Sequence, residues 1–317
     1  MTLPQPEQPR KSRRLGLILP WLAALLLAAG WSGGWFWVKA QAIERMDAGV
    51  AAMRQSGYRV GWAAREVGGF PFRLDITLRD ASVAEPSGWA LAAPTLKAEA
   101  FIQAPGRWVA VAPAGVTLTR PRGGAVAVGA RALRASLGGL DQRPPRLSVE
   151  GIDVTFTPAP GAEPYILRSA ERLELHLRPG PDDQAGLLFK VEGARLALAG
   201  LPARVAQGRP AAVLWDLTLS RVSGFQGADW ADAVRRWQGG GGAIMVRQAE
   251  IRAGEAVLTG AGGPLTVGPD GRLNGELTAT LREAGGAGAP AVQGVISLKD
   301  GQASLGPLYI GPSPRLY

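Results

Sequence analysis

The residue types that could do chemistry are few and poorly grouped. His176 is the single histidine, set in Glu174-Leu175-His176-Leu177-Arg178, where polar and apolar positions alternate. Triads and most zinc centres need that ring beside particular companions, and a lone histidine on the polar face of a strand reads as surface. There is no cysteine, which excludes disulfides, thiolate zinc sites and cysteine nucleophiles and is compatible with any redox compartment. Asp182 and Asp183 follow Pro179-Gly180-Pro181, a turn in which aspartate bonds its own backbone. Paired acids can hydrolyse glycosides, but such pairs meet only in three dimensions. The glycine-rich runs at 239–242 and 260–263 resemble phosphate loops superficially; the first follows a helix and neither carries the lysine. No catalytic residue, cofactor or metal ligand set emerges, and the chain reads as a non-enzyme.

Charge narrows the partners. Net charge is +9, and only five of the 35 basic residues are lysine (Lys11, Lys39, Lys97, Lys190, Lys299). Arginine suits bidentate phosphate or carboxylate contacts, yet Ala, Gly and Pro are raised with it, the mark of a genome rich in G and C. A nucleic-acid binder shows a dense basic stripe interleaved with aromatics; here the one cluster is Arg10, Lys11, Arg13 and Arg14 at the N-terminus. A mild attraction to anionic lipid surfaces fits better.

That cluster precedes residues 15–38, which carry no charge and are long enough to cross a hydrocarbon core of about 30 Å as a helix. Trp31, Trp35, Phe36 and Trp37 gather at the far end, as aromatic residues do at a membrane interface, and the basic side of a span stays in the cytoplasm. We therefore expect a cytoplasmic tail (1–14), a transmembrane anchor (15–38) flanked by Arg13 and Arg14 on one side and the four aromatic residues on the other, and a bulk exported to a bacterial periplasm. Cleavage after Ala42 is the competing reading, since Ala40-Gln41-Ala42 fits a signal-peptide site, but this apolar stretch exceeds the usual 7–15 residues. Ile43, Met46, Val50 and Met53 recur at helical spacing, so a stalk helix is expected over 39–56, stopping at Gly57.

From Tyr58 onward the period is two. Leu74, Ile76 and Leu78 share one face, as do Leu173, Leu175 and Leu177, and Trp215, Leu217 and Leu219. Leu147 and Val149 change phase against Ile152, Val154 and Phe156, which predicts a bulge at Glu150-Gly151. Asp270-Gly271 and Asp300-Gly301 between alternating runs predict hairpins. The fold class is mainly β: an elongated, curved antiparallel sheet over 57–317. Its one short amphipathic helix is expected at about 228–238, where Trp230, Ala233, Val234 and Trp237 share a face. The glycines at 239–242 offer a sub-boundary, and Gly285-Gly286-Ala287-Gly288 reads as a loop.

Gly57-Tyr58-Arg59-Val60, then Gly69-Phe70-Pro71-Phe72-Arg73-Leu74, and the ending with Asp300-Gly301 and Leu305-Gly306-Pro307 resemble the bacterial envelope family catalogued as domain of unknown function 2125. The resemblance extends over nearly the whole chain, anchor included. It implies no established activity and hence no catalytic residue. Its layout is similar to that of AsmA-like periplasmic β proteins, which implies a tie to lipid traffic and envelope maintenance.

Two functions remain. The first is a membrane-anchored binder of a lipid or acyl chain, the second a scaffold that binds envelope proteins through sheet edges or the short helix. A long sheet with one apolar face needs a cover: a second layer, a helix or a bound acyl chain. Within it, Phe70 and Phe72 are expected to plug the end of the apolar face that Leu74 continues, with a cost of about 3–5 kcal/mol for Phe72→Ala if that ring is fully buried.

Overall fold

The computed structural model describes residues 14–197, 208–283 and 291–317. The tail, Arg13 and the loop expected at 285–288 lie outside these residues, and Arg14 opens the first helix, α1 (Arg14–Gln55). Anchor and stalk are one helix of 42 residues, about 63 Å long at 1.5 Å per residue. It ends where Gly57 turns to φ 87 and Tyr58 N–H reaches back to the Met53 carbonyl, 3.0 Å, a glycine stop of the usual left-handed kind.

The strands are β1 (Arg59–Gly61), β2 (Ala64–Gly68), β3 (Arg73–Ala84), β4 (Ala90–Phe101), β5 (Trp108–Val111), β6 (Val116–Arg120), β7 (Gly124–Gly129), β8 (Ala132–Gly138) and β9 (Arg146–Pro158). Then come β10 (Leu167–Pro179), β11 (Gln184–Leu196), β12 (Ala211–Ser220), β13 (Ile244–Ala253), β14 (Ala256–Val267), β15 (Leu273–Glu283), β16 (Val292–Lys299), β17 (Gln302–Leu305) and β18 (Leu308–Pro312). All form one antiparallel sheet. β1 and β2 share an edge of β3, which pairs with β4; β4 pairs with both β5 and β6, and these lead through β8 and β7 to β9. From β9 to β18 the chain meanders strand by strand. The expected hairpins form at Asp270-Gly271 and Asp300-Gly301, the latter pair at φ 50 and 75.

The helix α2 (Trp230–Gly239) joins β12 to β13. Asp229 caps it by accepting from Asp232 N–H at 2.8 Å, and Val234 and Trp237 are fully buried beneath it. The glycine run at 239–242 ends it, and β12 and β13 pair directly across that run from Ala211↔Ala253 to Leu219↔Ile244. The sheet is continuous there.

Twist explains a contact that strand order alone would forbid. The N-terminal N–H of α2, on Trp230, donates to Glu85 Oε2 at 3.1 Å, and Glu85 sits in the β3–β4 turn. Along the chain of pairings this turn lies at the opposite end of the sheet from α2. Seven strand steps separate β3 from β12; at roughly 20–25° each they accumulate about 140–175°. The Ser220 end of β12 thereby swings toward the Ala84 end of β3, and α2 bridges them. The same region gathers Trp230 Nε1, which donates to the Leu316 carbonyl at 2.6 Å, and Arg235 over the Tyr317 ring.

Two local expectations are corrected. Pairing of β9 runs undisturbed through Glu150 and Gly151; the irregularity falls at Asp153, φ 52, which with Glu171 drops out of the β9–β10 ladder. A phase change seen in sequence leaves a few residues of ambiguity, and the backbone settles it where a short polar residue tolerates positive φ. Phe70 and Phe72 do not plug the core. Both are more than half exposed and turn outward onto α1. Phe72→Ala is accordingly expected to cost only about 1 kcal/mol, the worth of an exposed aromatic pair, against about 2–5 kcal/mol for Leu74→Ala, whose side chain is 3% exposed. Urea unfolding of the two variants in detergent, followed by circular dichroism, checks the contrast.

Candidate functional site

The apolar face of the sheet is filled at one end and open at the other. At the α2 end, Val234 and Trp237 pack with Ile244, Val246, Leu265, Val267, Leu298 and Ala303. Trp237 stacks on Phe225 with ring centres 4.5 Å apart and donates its indole N–H to the Ser220 carbonyl at 2.6 Å. Gly242 is required beside it, because a Cβ there would enter the indole ring. Beyond this plug, the same face opens into a cavity of about 790 Å³.

Strand alternation supplies its floor. Val191 stands opposite Val213, Val213 opposite Ile251, Ile251 opposite Leu258, and Leu258 opposite Leu281. All five line the cavity. They form one apolar row across five strands, about 19 Å long at 4.7–4.9 Å per strand. Phe189 and Trp215, opposite each other with ring centres 5.4 Å apart, stand beside the row. Small buried residues (Ala170, Ala194, Ala211 and Ala253) keep the backbone low beneath it. Ile296, Leu305 and Ile310 from β16, β17 and β18 close the far wall. Trp215 and Ile166 are exposed large apolar residues on its lining, so among the described residues the cavity is a groove and not a sealed void.

Among the described residues, Arg120 is the one charged side chain in its lining. Its guanidinium donates to the Gly123 and Glu163 carbonyls at 2.5 and 2.7 Å and lies over the Tyr165 ring at 5.4 Å. Tyr165 in turn stacks on Phe156. These bonds fix the connection between β9 and β10 as the groove's upper rim. An opening this size is within the 300–1,000 Å³ of small-molecule sites, and its walls offer hydrophobic contact and almost no directional polar recognition.

The other sequence-predicted residues are placed elsewhere. Trp31, Trp35, Phe36 and Trp37 lie on α1, and the first three meet Phe70 and Phe72. Trp31 Nε1 donates to the Pro71 carbonyl at 2.9 Å and Trp35 Nε1 to the Arg73 carbonyl at 2.8 Å. Farther along, Asp47 pairs with Arg65 at 2.5 Å and Arg54 donates to the Val60 carbonyl at 2.6 Å. Thus α1 lies along β1 and β2, running up as the chain of β2 and β1 runs down. Gly69, at φ 97, closes the turn by accepting from Arg73 N–H; a Cβ there would stand 2.6 Å from the Arg73 oxygen. Of the C-terminal residues, Asp300 and Gly301 make the β16–β17 turn and Gly306 and Pro307 the next, while Leu305 reaches the groove wall.

Electrostatics marks residues in and next to the two helices. The Arg65 guanidinium bonded to Asp47 holds that carboxyl below the usual carboxylate range. Burial pushes the Tyr58 hydroxyl up, helped by the charges of Glu85 and Asp229. The Ala228 N–H, followed by Arg236, lowers the Asp232 carboxyl in the first turn of α2.

His176 is less exposed than its pattern suggested. Nδ1 lies 2.9 Å from Ser148 Oγ on the neighbouring strand, and Nε2 is 3.6 Å from Glu174. Serine, histidine and carboxylate therefore meet, a juxtaposition that only register could reveal. The three sit on ladder-paired strands away from the groove's lining. Gly30-Trp31-Ser32-Gly33-Gly34 spells a nucleophile-elbow motif, but it lies within α1, and Ser32 donates its hydroxyl to the Ala28 carbonyl. Among the described residues there is no group of three or more His, Asp or Glu that could hold a metal ion.

The molecule is thus a single-sheet β protein led by one helix long and apolar enough to cross a membrane. Residues 35–292 match a family described as "Uncharacterized protein conserved in bacteria (DUF2125)", and the chain belongs to that family. The match takes in Gly69-Phe70-Pro71-Phe72 but stops before Asp300-Gly301 and Leu305-Gly306-Pro307, and it leaves out most of the apolar helix. The expectation that the family likeness spans anchor and ending is corrected accordingly. No curated protein and no solved structure matches the chain.

Proposed function

We propose that this is a non-catalytic, single-pass inner-membrane protein of bacteria. Its β domain stands in the periplasm and holds a lipid acyl chain or similar hydrophobe in the groove, in the service of envelope maintenance. The observation that carries the reading is the row Val191–Val213–Ile251–Leu258–Leu281, an apolar floor left uncovered among the described residues where the rest of the same face is packed. Burying hydrocarbon is worth about 0.8 kcal/mol per methylene, so a chain of about fourteen carbons would gain on the order of 11 kcal/mol before ordering costs. The basic residues before the apolar helix and the aromatic cluster at its far end support a cytoplasmic N-terminus.

Native mass spectrometry and lipid extraction of the full-length protein, purified in mild detergent, test the reading. The expected result is a co-purifying acyl lipid at near-stoichiometric amount. Protein that emerges free of lipid, and that takes up no fluorescent fatty acid or phospholipid, would refute it.

A scaffold is the second reading, and the geometry narrows it. α1 lies along β1 and β2, and α2 is committed to the core, to Glu85 and to Leu316. Among the described residues, the surface left for strand pairing is β18, which carries the exposed Leu308 and Tyr309.

A further inference from the structure

We propose that the β2–β3 turn at Gly69–Phe72, together with Phe101, is a second membrane-contact site, seated in the headgroup and upper acyl zone of the leaflet from which α1 emerges. The proposal rests on the reading of α1 as a membrane anchor.

The chain has seven phenylalanines. Phe36, Phe70, Phe72 and Phe101 are each more than half exposed, whereas Phe156, Phe189 and Phe225 are half-buried. All four exposed rings stand at one end of the molecule. Phe70 lies 6.3 Å from Phe36 and 5.4 Å from Trp35, and Phe72 lies 6.0 Å from Trp31. Phe101 is opposite Arg73, and the next N–H, that of Ile102, donates to the Phe72 carbonyl. A water-facing surface does not collect exposed aromatic rings in this way without a partner.

Helix length says which partner. A span of about 30 Å takes roughly twenty residues, and counted from Leu15 it ends near Gly34. Trp31 and Trp35 therefore stand at the outer boundary of the hydrocarbon. Their indole N–H groups are bonded to the Pro71 and Arg73 carbonyls, which puts the turn at the same depth. The turn cannot be in bulk water while the helix residues it is bonded to are at the membrane surface. The local composition suits that depth. Lys39 lies over the Trp35 ring at 5.4 Å, and Arg73 pairs with Glu99 at 3.2 Å beside the aromatic group, the mixture of amphipathic rings and charges that marks the interface. The bonded indole donors also answer why the turn keeps its carbonyls satisfied at a depth where water is scarce.

The cysteine-free chain allows single labels in the full-length protein. F70C, F72C and F101C, each carrying a polarity-sensitive fluorophore, are reconstituted in phosphatidylcholine vesicles containing lipid spin-labelled near the glycerol end of its acyl chain. W37C and L25C report on the helix, and S82C, exposed on β3 some ten residues up the strand, reports on the body of the sheet. We expect quenching at 70, 72 and 101 comparable with that at 37 and several-fold stronger than at 82. Three labels guard against one variant failing to fold. Quenching at 25 and 37 with none at 70, 72 and 101 would overturn the contact site and leave the anchor standing. Absence of quenching at 25 as well would overturn the anchor, and the contact site with it.

Discussion

Ile251→Glu is expected to strip bound lipid from the purified protein by at least about tenfold while lowering its unfolding free energy by no more than about 1–2 kcal/mol. Ile251 stands at the centre of the apolar row, directly opposite Val213 on one side and Leu258 on the other. It is only half-buried. If the groove is water-filled when empty, a carboxylate there stays solvated and the fold tolerates it. An acyl chain, however, would have to desolvate that charge, which costs several kcal/mol, and more than 1.4 kcal/mol suffices for a tenfold loss. The alternative gives the opposite pair of results. Were the row part of a closed core, the buried charge would unfold the protein outright, and binding could not be blamed. Ile251→Val, which removes one methylene and no polarity, should leave both quantities nearly unchanged. Retained lipid in a well-folded Ile251→Glu protein would end the case for this groove.

Trp237→Ala is expected to cause the largest loss of stability, about 3–5 kcal/mol from truncating a buried aromatic. Part of that comes from the interleaving of Trp237 between Phe225 and the β13–β17 core, and part from the Ser220 carbonyl, which loses its donor. Because α2 also holds Glu85 and the C-terminal Leu316, its loosening should release both remote segments together. Urea unfolding in detergent should show a lower midpoint, and hydrogen exchange should show lost protection at the β3–β4 turn and at 313–317. A drop below about 1 kcal/mol, or exchange confined to α2, would mean that the bridge is not a structural keystone. Gly242→Val should reproduce the effect from the other side by driving a side chain into the indole.

Most of the architecture was readable because it is periodic. Runs such as Leu173-x-Leu175-x-Leu177 and Trp215-x-Leu217-x-Leu219 commit to strands locally, Asp-Gly pairs commit to turns, and the face Trp230–Val234–Trp237 commits to a helix. Residues 15–38 announce a span by length alone. What escaped depends on register, which the alternation of a single strand does not contain. The row from Val191 to Leu281 exists only because five strands align to within one residue. The same holds for His176 beside Ser148. The misreading of Phe70 and Phe72 has a different origin. Aromatic residues next to a glycine turn look like core, and their true partners, Trp31 and Trp35, are some forty residues earlier in a helix that sequence assigns to the bilayer. The indole N–H bonds to the Pro71 and Arg73 carbonyls join the two halves of that motif, and no pattern along the chain encodes them.

The position of α1 has a consequence for assembly. A sheet with two free edges can add strands at either end and so polymerise without limit. Here α1 lies along the edge made by β1 and β2, while β18 pairs only with β17 among the described residues. Among the described residues, that leaves β18 as the edge open to strand addition. Two copies joined β18 to β18 would form a closed pair with no edge left over, and a foreign strand that docks there terminates the sheet instead of extending it. The helix long and apolar enough to cross a membrane would then, by the same contact, also act as a chain stopper.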